Sequence, residues 1–250
     1  MEKTEKKENR YGLLGKDISY SFSKGYFTRK FKELKLDNYS YENFDLADIS
    51  KFKRLLSENT IRGLNVTIPY KEQIIPFLTE LDGTAKIIGA VNTIKITENG
   101  LKGYNTDFYG FQKSIEPYIK KHHTKALILG TGGASKAISF VFKELGISYS
   151  YVSRTKKNDY LIYEELDKET IETHTVIVNC TPLGTFPNIN EKPSIPYKFL
   201  NNRHFLFDLI YNPEKTAFLK EGEKMEASIC NGLKMLQLQA EKAWGIWNAK

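Results

Sequence analysis

Residues 125–153 constrain this chain more than any other stretch: the apolar run KALILG ends on glycine, TGGASKAISFVFKELG follows, and SYSYVS comes next after a single isoleucine. An apolar run without polar alternation is a strand buried on both faces, and the apolar residues that follow recur at helical spacing. Strand, glycine-rich turn, helix and strand together make a βαβ unit, whose crossover demands a parallel pair. TVIVNCTPLG and HFLFDLIY supply further apolar strands, each running into a polar loop. Sheets of this kind bind ligands beyond the carboxyl ends of their strands.

Gly130, Gly132 and Ser135 fit G-x-G-x-x-G with serine for the last glycine. The first position permits a tight turn, the second lets backbone approach a pyrophosphate, and a small third residue keeps the helix close to the sheet. Thr131, Gly133 and Ala134 complete the turn at a helix N-terminus, which offers N–H donors and a positive dipole to an anion. A glycine triplet alone is weak, and a turn needed only for packing is the bland alternative. Its place between strand and helix is what points to a dinucleotide. An enzyme that takes NAD sets Asp or Glu on the adenine ribose at the end of the second strand. Here Ser153, Arg154, Thr155, Lys156 and Lys157 stand there instead. An acid would repel a 2′-phosphate and a guanidinium can grip it, so the reading is NADP, with a solvated basic turn as the alternative.

Ahead of this unit, strand-like and helix-like runs alternate as in an α/β protein. Residues 1–10 read as a charged, disordered tail, YGLLG as a strand, SKGYFTRKFKELKL as a helix and NYSYENF as a strand. DISKFKRLLSE opens a helix on a capping Asp48, and GLNVTIP is a strand stopped by Pro69. YKEQIIPFL starts a short helix with Lys71 in its first turn. The positive end of a helix disfavours an ammonium there, which would ease proton donation and makes Lys71 the candidate general acid and base. An exposed lysine that bends away is the ordinary outcome. VNTIKITENGLKGYNTD reads as a hairpin about Asn99-Gly100, the dipeptide suited to a two-residue type I′ turn. Opposed pairs would then run from Glu98 with Leu101 out to Asn92 with Asp107, the last two within about 5 Å. Asp107 also suits the N-cap of the helix FYGFQKSIEPYIKK. The terminal NGLKMLQLQAEKAWGIW is amphipathic and helical.

Composition removes other classes. A hydrophobic share of 40% and an aromatic share of 13% suffice for packed cores in 250 residues. The net charge of +7 favours anionic ligands, but lysines alternate with acids, as in LKEGEKMEA, rather than gathering with stacking aromatics as a nucleic-acid surface requires. No run spans a membrane and MEKTEKKENR lacks the apolar core of a signal peptide, so the expected location is cytoplasmic. Cys180 and Cys230 are far apart, without metal-ligand spacing, and are expected to be free, buried thiols. No metal site is expected.

Six motifs occur in an order that resembles the shikimate dehydrogenases: GLNVTIPYK (63–71), GAVNTI (89–94), GYNTD (103–107), LGTGGASKA (129–137), DLIYNPEKT (208–216) and the terminal NGLKMLQLQA. The resemblance spans nearly the whole chain after the tail. It implies an N-terminal mixed-sheet α/β substrate domain, residues 1–107 with 232–250, and a Rossmann-like doubly wound NADP-binding domain, residues 108–231. It also implies NADPH-dependent reversible reduction of 3-dehydroshikimate to shikimate. Lys71 and Asp107 match the catalytic pair. Thr67, Asn92, Tyr211 and Gln239 match substrate contacts, and so do Ser21 and Ser23, which lie two apart and face the same way if that segment is extended. Thr181 matches a cofactor contact and Gly232 and Met235 match positions beside the nicotinamide, though a methionine on an amphipathic helix is ordinarily core. Tyr20 and Lys24 depart from the family's serine motif, and the stretch between Lys157 and Thr175 is short enough to imply a reduced helix. A quinate/shikimate dehydrogenase of broader specificity shares every motif, and a non-catalytic NADP-binding protein shares the scaffold. Monomer and homodimer both remain open.

Overall fold

The computed structural model describes residues 9–18, 21–157 and 159–249, which form two compact units: residues up to 106 together with 240–250, and residues 107–239. Tyr20 and tail residues 1–8 lie outside the described residues.

The first unit is built on β1 (Asn9–Gly15), α1 (Phe22–Glu33), β2 (Tyr39–Asp45), α2 (Phe52–Glu58), β3 (Gly63–Val66), α3 (Tyr70–Gln73), β4 (Glu80–Leu81), α4 (Gly83–Ile88), β5 (Thr93–Thr97) and β6 (Gly100–Tyr104). Its six-stranded sheet has the order β2-β1-β3-β5-β6-β4. β1 runs parallel to β2 and β3, while β3, β5 and β6 alternate in direction, so the sheet is mixed. Both faces are covered. Leu14, Leu64, Val66 and Ile94 pack with Phe52, Tyr70, Ile74 and Ala85, and Tyr11, Leu13 and Tyr41 pack with Phe27, Phe31, Ala240, Ala243 and Trp247. Gly63 is required by that second layer, because a Cβ there would overlap the Trp247 indole, whose Nε1 donates to the Ile94 carbonyl at 3.0 Å. Tail residues 9 and 10 belong to β1 rather than to a disordered segment. Arg10 is buried and donates to both carboxylate oxygens of Glu42, at 2.9 and 2.8 Å, which holds that carboxyl below its ordinary range.

The hairpin register differs from the expected one. Thr97 pairs with Gly100 and Thr93 with Tyr104, so Glu98 and Asn99 form the turn and Gly100 opens β6 with φ +117. A Cβ on Gly100 would collide with the Thr79 side chain, whose hydroxyl accepts the Leu101 N–H at 3.1 Å. The glycine thus serves a close approach by the segment before β4, and the turn moves back one residue.

The second unit contains α5 (Asp107–Ile115), β7 (Lys125–Leu129), α6 (Gly133–Glu144), β8 (Ser148–Ser153), β9 (Leu161–Ile162), α7 (Lys168–Thr173), β10 (Val176–Asn179), β11 (Phe205–Asp208), α8 (Ala217–Lys224), β12 (Ser228–Cys230) and the first part of α9 (Leu233–Asn248). The sheet is parallel throughout, in the order β12-β11-β10-β7-β8-β9. In chain order β7, β8 and β9 step from the centre to one edge and β10, β11 and β12 step from the centre to the other, so strand order reverses between β7 and β10. Alternate strand residues face opposite layers. Ala126, Ile128, Val176, Val178, Phe205 and Phe207 meet Phe111, Ile138, Phe142 and Met235, whereas Leu127, Leu129, Ile177 and Leu206 meet Ile171, Phe218 and Leu219. Helices therefore cover both faces, as a doubly wound sheet requires. The six-residue α7 is the reduced helix that the short stretch before Thr175 implied.

Candidate active site

In the first unit the segment after β3 and the turn before β5 are laced together. The Val66 N–H donates to the Asn92 carbonyl at 2.8 Å, and the Val91 N–H donates to the Lys71 carbonyl at 2.7 Å. These two bonds bring Thr67, Lys71 and Asn92 to one place beyond the carboxyl end of β3. Thr67 is anchored by its own N–H to the Leu14 carbonyl at 2.9 Å. The helix carrying Lys71 is a single four-residue turn that follows Pro69.

Asn92 is buried and its side chain meets Thr106: Oδ1 accepts the Thr106 N–H at 2.6 Å and Nδ2 donates to the Thr106 hydroxyl at 2.9 Å. In the observed register, which pairs Thr93 with Tyr104, the ladder position opposite Asn92 is Asn105, two residues before the expected one. Asp107 is buried and begins α5 as a first-turn residue rather than as its cap. On the same face of α5, one turn on, Gly110 lies against Gln239 and the Met235 carbonyl of α9. Gln239 is buried there and donates to the Leu236 carbonyl at 3.0 Å.

The two serines stand at the start of a helix. Ser21 is the N-cap of α1 and accepts the Lys24 N–H at 3.4 Å, while Ser23 is buried in the first helical turn. The extended reading of this segment is therefore corrected: Ser21 keeps extended backbone, with φ -116 and ψ 119, while Ser23 is helical. The Ser23 hydroxyl faces Tyr41, whose phenol is pushed up by burial. Tyr41 donates to Asn65 Oδ1 at 2.7 Å, and Asn65 Nδ2 reaches the Asn92 carbonyl at 3.3 Å and the Thr93 hydroxyl at 3.2 Å. A buried polar chain thus joins Ser23 to Asn92. Tyr41, Asn65, Thr93 and Thr106 were not singled out from the sequence. Asn65 had a usable signal, since it lies two before Thr67 at strand period.

In the second unit the glycine turn lies where strand order reverses. Gly130 has φ +101, a conformation other residues rarely adopt, and a Cβ there would sit 3.1 Å from Thr181 Cγ2. Gly132 precedes α6 without any side-chain cap, and a Cβ added to it would enter open space. Thr131 and Gly132 are exposed and Gly133 and Ala134 half-buried, so the N–H groups of this twelve-residue helix face a gap that an anion can fill. Ser135 is buried and its hydroxyl donates to the Gly132 carbonyl at 2.7 Å, fixing the turn from below.

Beyond β8, the half-buried Ser153 donates to the Thr155 carbonyl, and Arg154, Thr155 and Lys157 are exposed. Lys156 is held by both oxygens of Glu165 at 2.7 Å, which leaves Arg154 and Lys157 as the cations of this loop outside an ion pair among the described residues. The residues present fit an NADP: an open helix end for pyrophosphate and unneutralised cations at the end of the second strand. Tyr211 is half-buried, with its phenol pushed up by burial. Gly232 is buried against the Leu209 carbonyl, where a Cβ would not fit, and Met235 is packed in the core with Phe111 and Phe207. Cys180 and Cys230 are free, as expected, but half-buried rather than buried. Among the described residues no three His, Cys, Asp or Glu side chains cluster as metal ligands, and no helix is long and apolar enough to cross a membrane.

A model of the shikimate dehydrogenase substrate binding domain matches residues 13–94, all within the first unit. The shikimate dehydrogenase (NADP(+)) of Methanococcus vannielii is 39% identical over 257 residues, covering 94% of this chain and 90% of that protein. The chain belongs to the shikimate dehydrogenase family. Its fold agrees with that membership. Shikimate dehydrogenase 1 of Peptoclostridium difficile superposes with a TM-score of 0.83 at 40% identity, covering 96% of this chain and 91% of that one. The Thermus thermophilus shikimate 5-dehydrogenase, solved in complex with NADP(H) and shikimate, gives 0.84 at 29% identity, covering 96% and 93%.

Proposed function

We propose that this chain catalyses the reversible, NADP-linked reduction of 3-dehydroshikimate to shikimate, a step in aromatic biosynthesis. The observation that carries the reading is the junction that gathers Thr67, Lys71 and Asn92 at one strand end, in a chain whose relatives are named for this reaction. The first unit then holds substrate and the second holds NADP. When bound, NADPH supplies the hydride. Lys71 gives a proton to the carbonyl oxygen as that carbon is reduced, and takes one from the hydroxyl in reverse. Asp107 orients the reacting hydroxyl. Thr67 and Asn92 bind substrate hydroxyls, Ser21 and Ser23 its carboxylate, and Tyr211 and Gln239 complete its contacts. Arg154 grips the 2′-phosphate with Ser153, Thr155 and Lys157 around it, while Gly130, Thr131, Gly132, Gly133 and Ala134 cradle the pyrophosphate. Thr181 contacts the cofactor, and Gly232 and Met235 border the nicotinamide.

The test is absorbance at the nicotinamide band with shikimate or quinate and with NADP or NAD, for wild type and Lys71→Ala. NADP reduction by shikimate that falls about 100-fold or more in the variant is expected. Equal turnover of quinate would move the assignment to a broader quinate/shikimate enzyme, and no turnover with any pair would leave a binding protein.

A further inference from the structure

β10 and β11 end side by side on Asn179 and Asp208, which pair across the ladder and are fully buried. Asn179 Nδ2 donates to Asp208 Oδ1 at 3.0 Å, and the same oxygen accepts the Ile210 N–H at 3.0 Å. The other carboxylate oxygen accepts the Thr216 hydroxyl at 2.6 Å. The carboxylate therefore dictates which way the Asn179 amide faces, since an amide oxygen in its place would confront another acceptor. Turned this way, Asn179 Oδ1 accepts both the Thr181 N–H at 3.0 Å and the Thr181 hydroxyl at 2.6 Å. Thr181 Oγ1 in turn accepts the Leu183 N–H at 3.3 Å. Orientation passes from a buried carboxylate to the loop that packs on Gly130 at the strand-order reversal.

We propose that Asn179, oriented by Asp208, is a positioning residue for the dinucleotide, presetting the Thr181 loop in the conformation that meets bound NADP. The proposal rests on the reading of this strand end as the NADP site. A loop ordered before binding spares the entropy of ordering it afterwards, so the network acts on cofactor affinity. The asparagine amide holds its donor apart from its acceptor, so it donates to a carboxylate on one side while accepting two bonds on the other, a span the single oxygen of serine lacks.

The test measures NADP binding to the full chain by calorimetry from about pH 5.5 to 8.5, for wild type, Asn179→Asp and Asn179→Ser. Asn179→Asp keeps the shape but sets one carboxyl against another. A shared proton holds the pair together at low pH, and two carboxylates repel at high pH. The other titratable groups facing Asp208 are the Cys180 thiol and the Tyr197 phenol, both pushed up by burial and uncharged throughout this range, and Asp208, itself raised by burial, ionises within it in wild type too, so the ratio to wild type isolates the added carboxyl. The ratio of variant to wild-type Kd is expected to rise about tenfold across the range for Asn179→Asp. Asn179→Ser is expected to weaken binding about tenfold at every pH while the KM for shikimate stays within about twofold. A flat ratio for the first variant, or wild-type affinity for the second, overturns the proposal. If Asn179→Asp does not fold, Asn179→Ser decides alone. A wild type that fails to turn over shikimate with NADP refutes the proposed function instead, which separates the two failures.

Discussion

Replacing Asp208 by asparagine should change how the stability of the fold responds to pH. Burial pushes the Asp208 carboxyl up from 3.8 to about 7, against hydrogen bonds from Thr216, Ile210 and Asn179 that favour its charged form. Between about pH 4 and pH 7 the folded chain keeps a proton that the unfolded chain has already released. Stability therefore falls as pH rises through this window: the contribution is whole below about pH 4 and lost above about pH 7. A shift of about three units corresponds to ~4 kcal/mol. Asparagine cannot titrate, yet its oxygen still accepts from Asn179 and Ile210 while its NH₂ reaches the Thr216 oxygen. The stability difference between variant and wild type should therefore move by ~4 kcal/mol in the variant's favour from about pH 4 to pH 8. In melting temperature that is roughly 10 °C for a chain of this size. Both tryptophans, Trp244 and Trp247, lie in the other unit, so calorimetry rather than fluorescence is the assay. His123 and His174, whose values burial lowers, act in the opposite sense as pH falls, but they are common to both proteins and cancel in the difference. Parallel melting curves for the two proteins across this range would refute the reasoning, because the three hydrogen bonds would then have outweighed burial.

Two further outcomes are expected. Arg154→Gln should raise the KM for NADP about tenfold or more and leave that for NAD within about twofold, since it removes a charged contact to the 2′-phosphate. The matching change at Lys156 should do less, because Glu165 already neutralises that ammonium. Equal effects on both cofactors would show that the loop does not read the phosphate. Gly63→Ala should cost ~1–3 kcal/mol by overpacking against the Trp247 indole. Urea unfolding followed by tryptophan fluorescence checks it, and an unchanged midpoint would mean that the indole has room to move.

Much of the second unit was legible because its signals are local. The glycine turn, its serine and the absent acid after β8 each act within a few residues of themselves, and β7 and β8, whose ends carry them, are neighbours in the sheet. The first unit was less legible where distant segments decide. Asn99-Gly100 is a good turn dipeptide, yet Thr79 claims the glycine for a close approach and the turn becomes Glu98-Asn99. Ser21 and Ser23 suit an extended segment as well as a cap followed by a helical turn, and α1 begins at Phe22. Short elements such as β4, β9 and β12 carry too few residues to show a period.

By itself the sequence determined the family, the βαβ unit and the preference for a 2′-phosphate, since each depends on residue type at short spacing along the chain. Only the tertiary structure decided which side chains share a place. Hydrogen bonds between segments far apart in sequence draw Lys71 to Asn92, tie Asn92 to Thr106, and align Asn179 under Thr181 through Asp208. Those bonds form because buried donors and acceptors must find partners once water is gone, a demand that only the packed fold imposes.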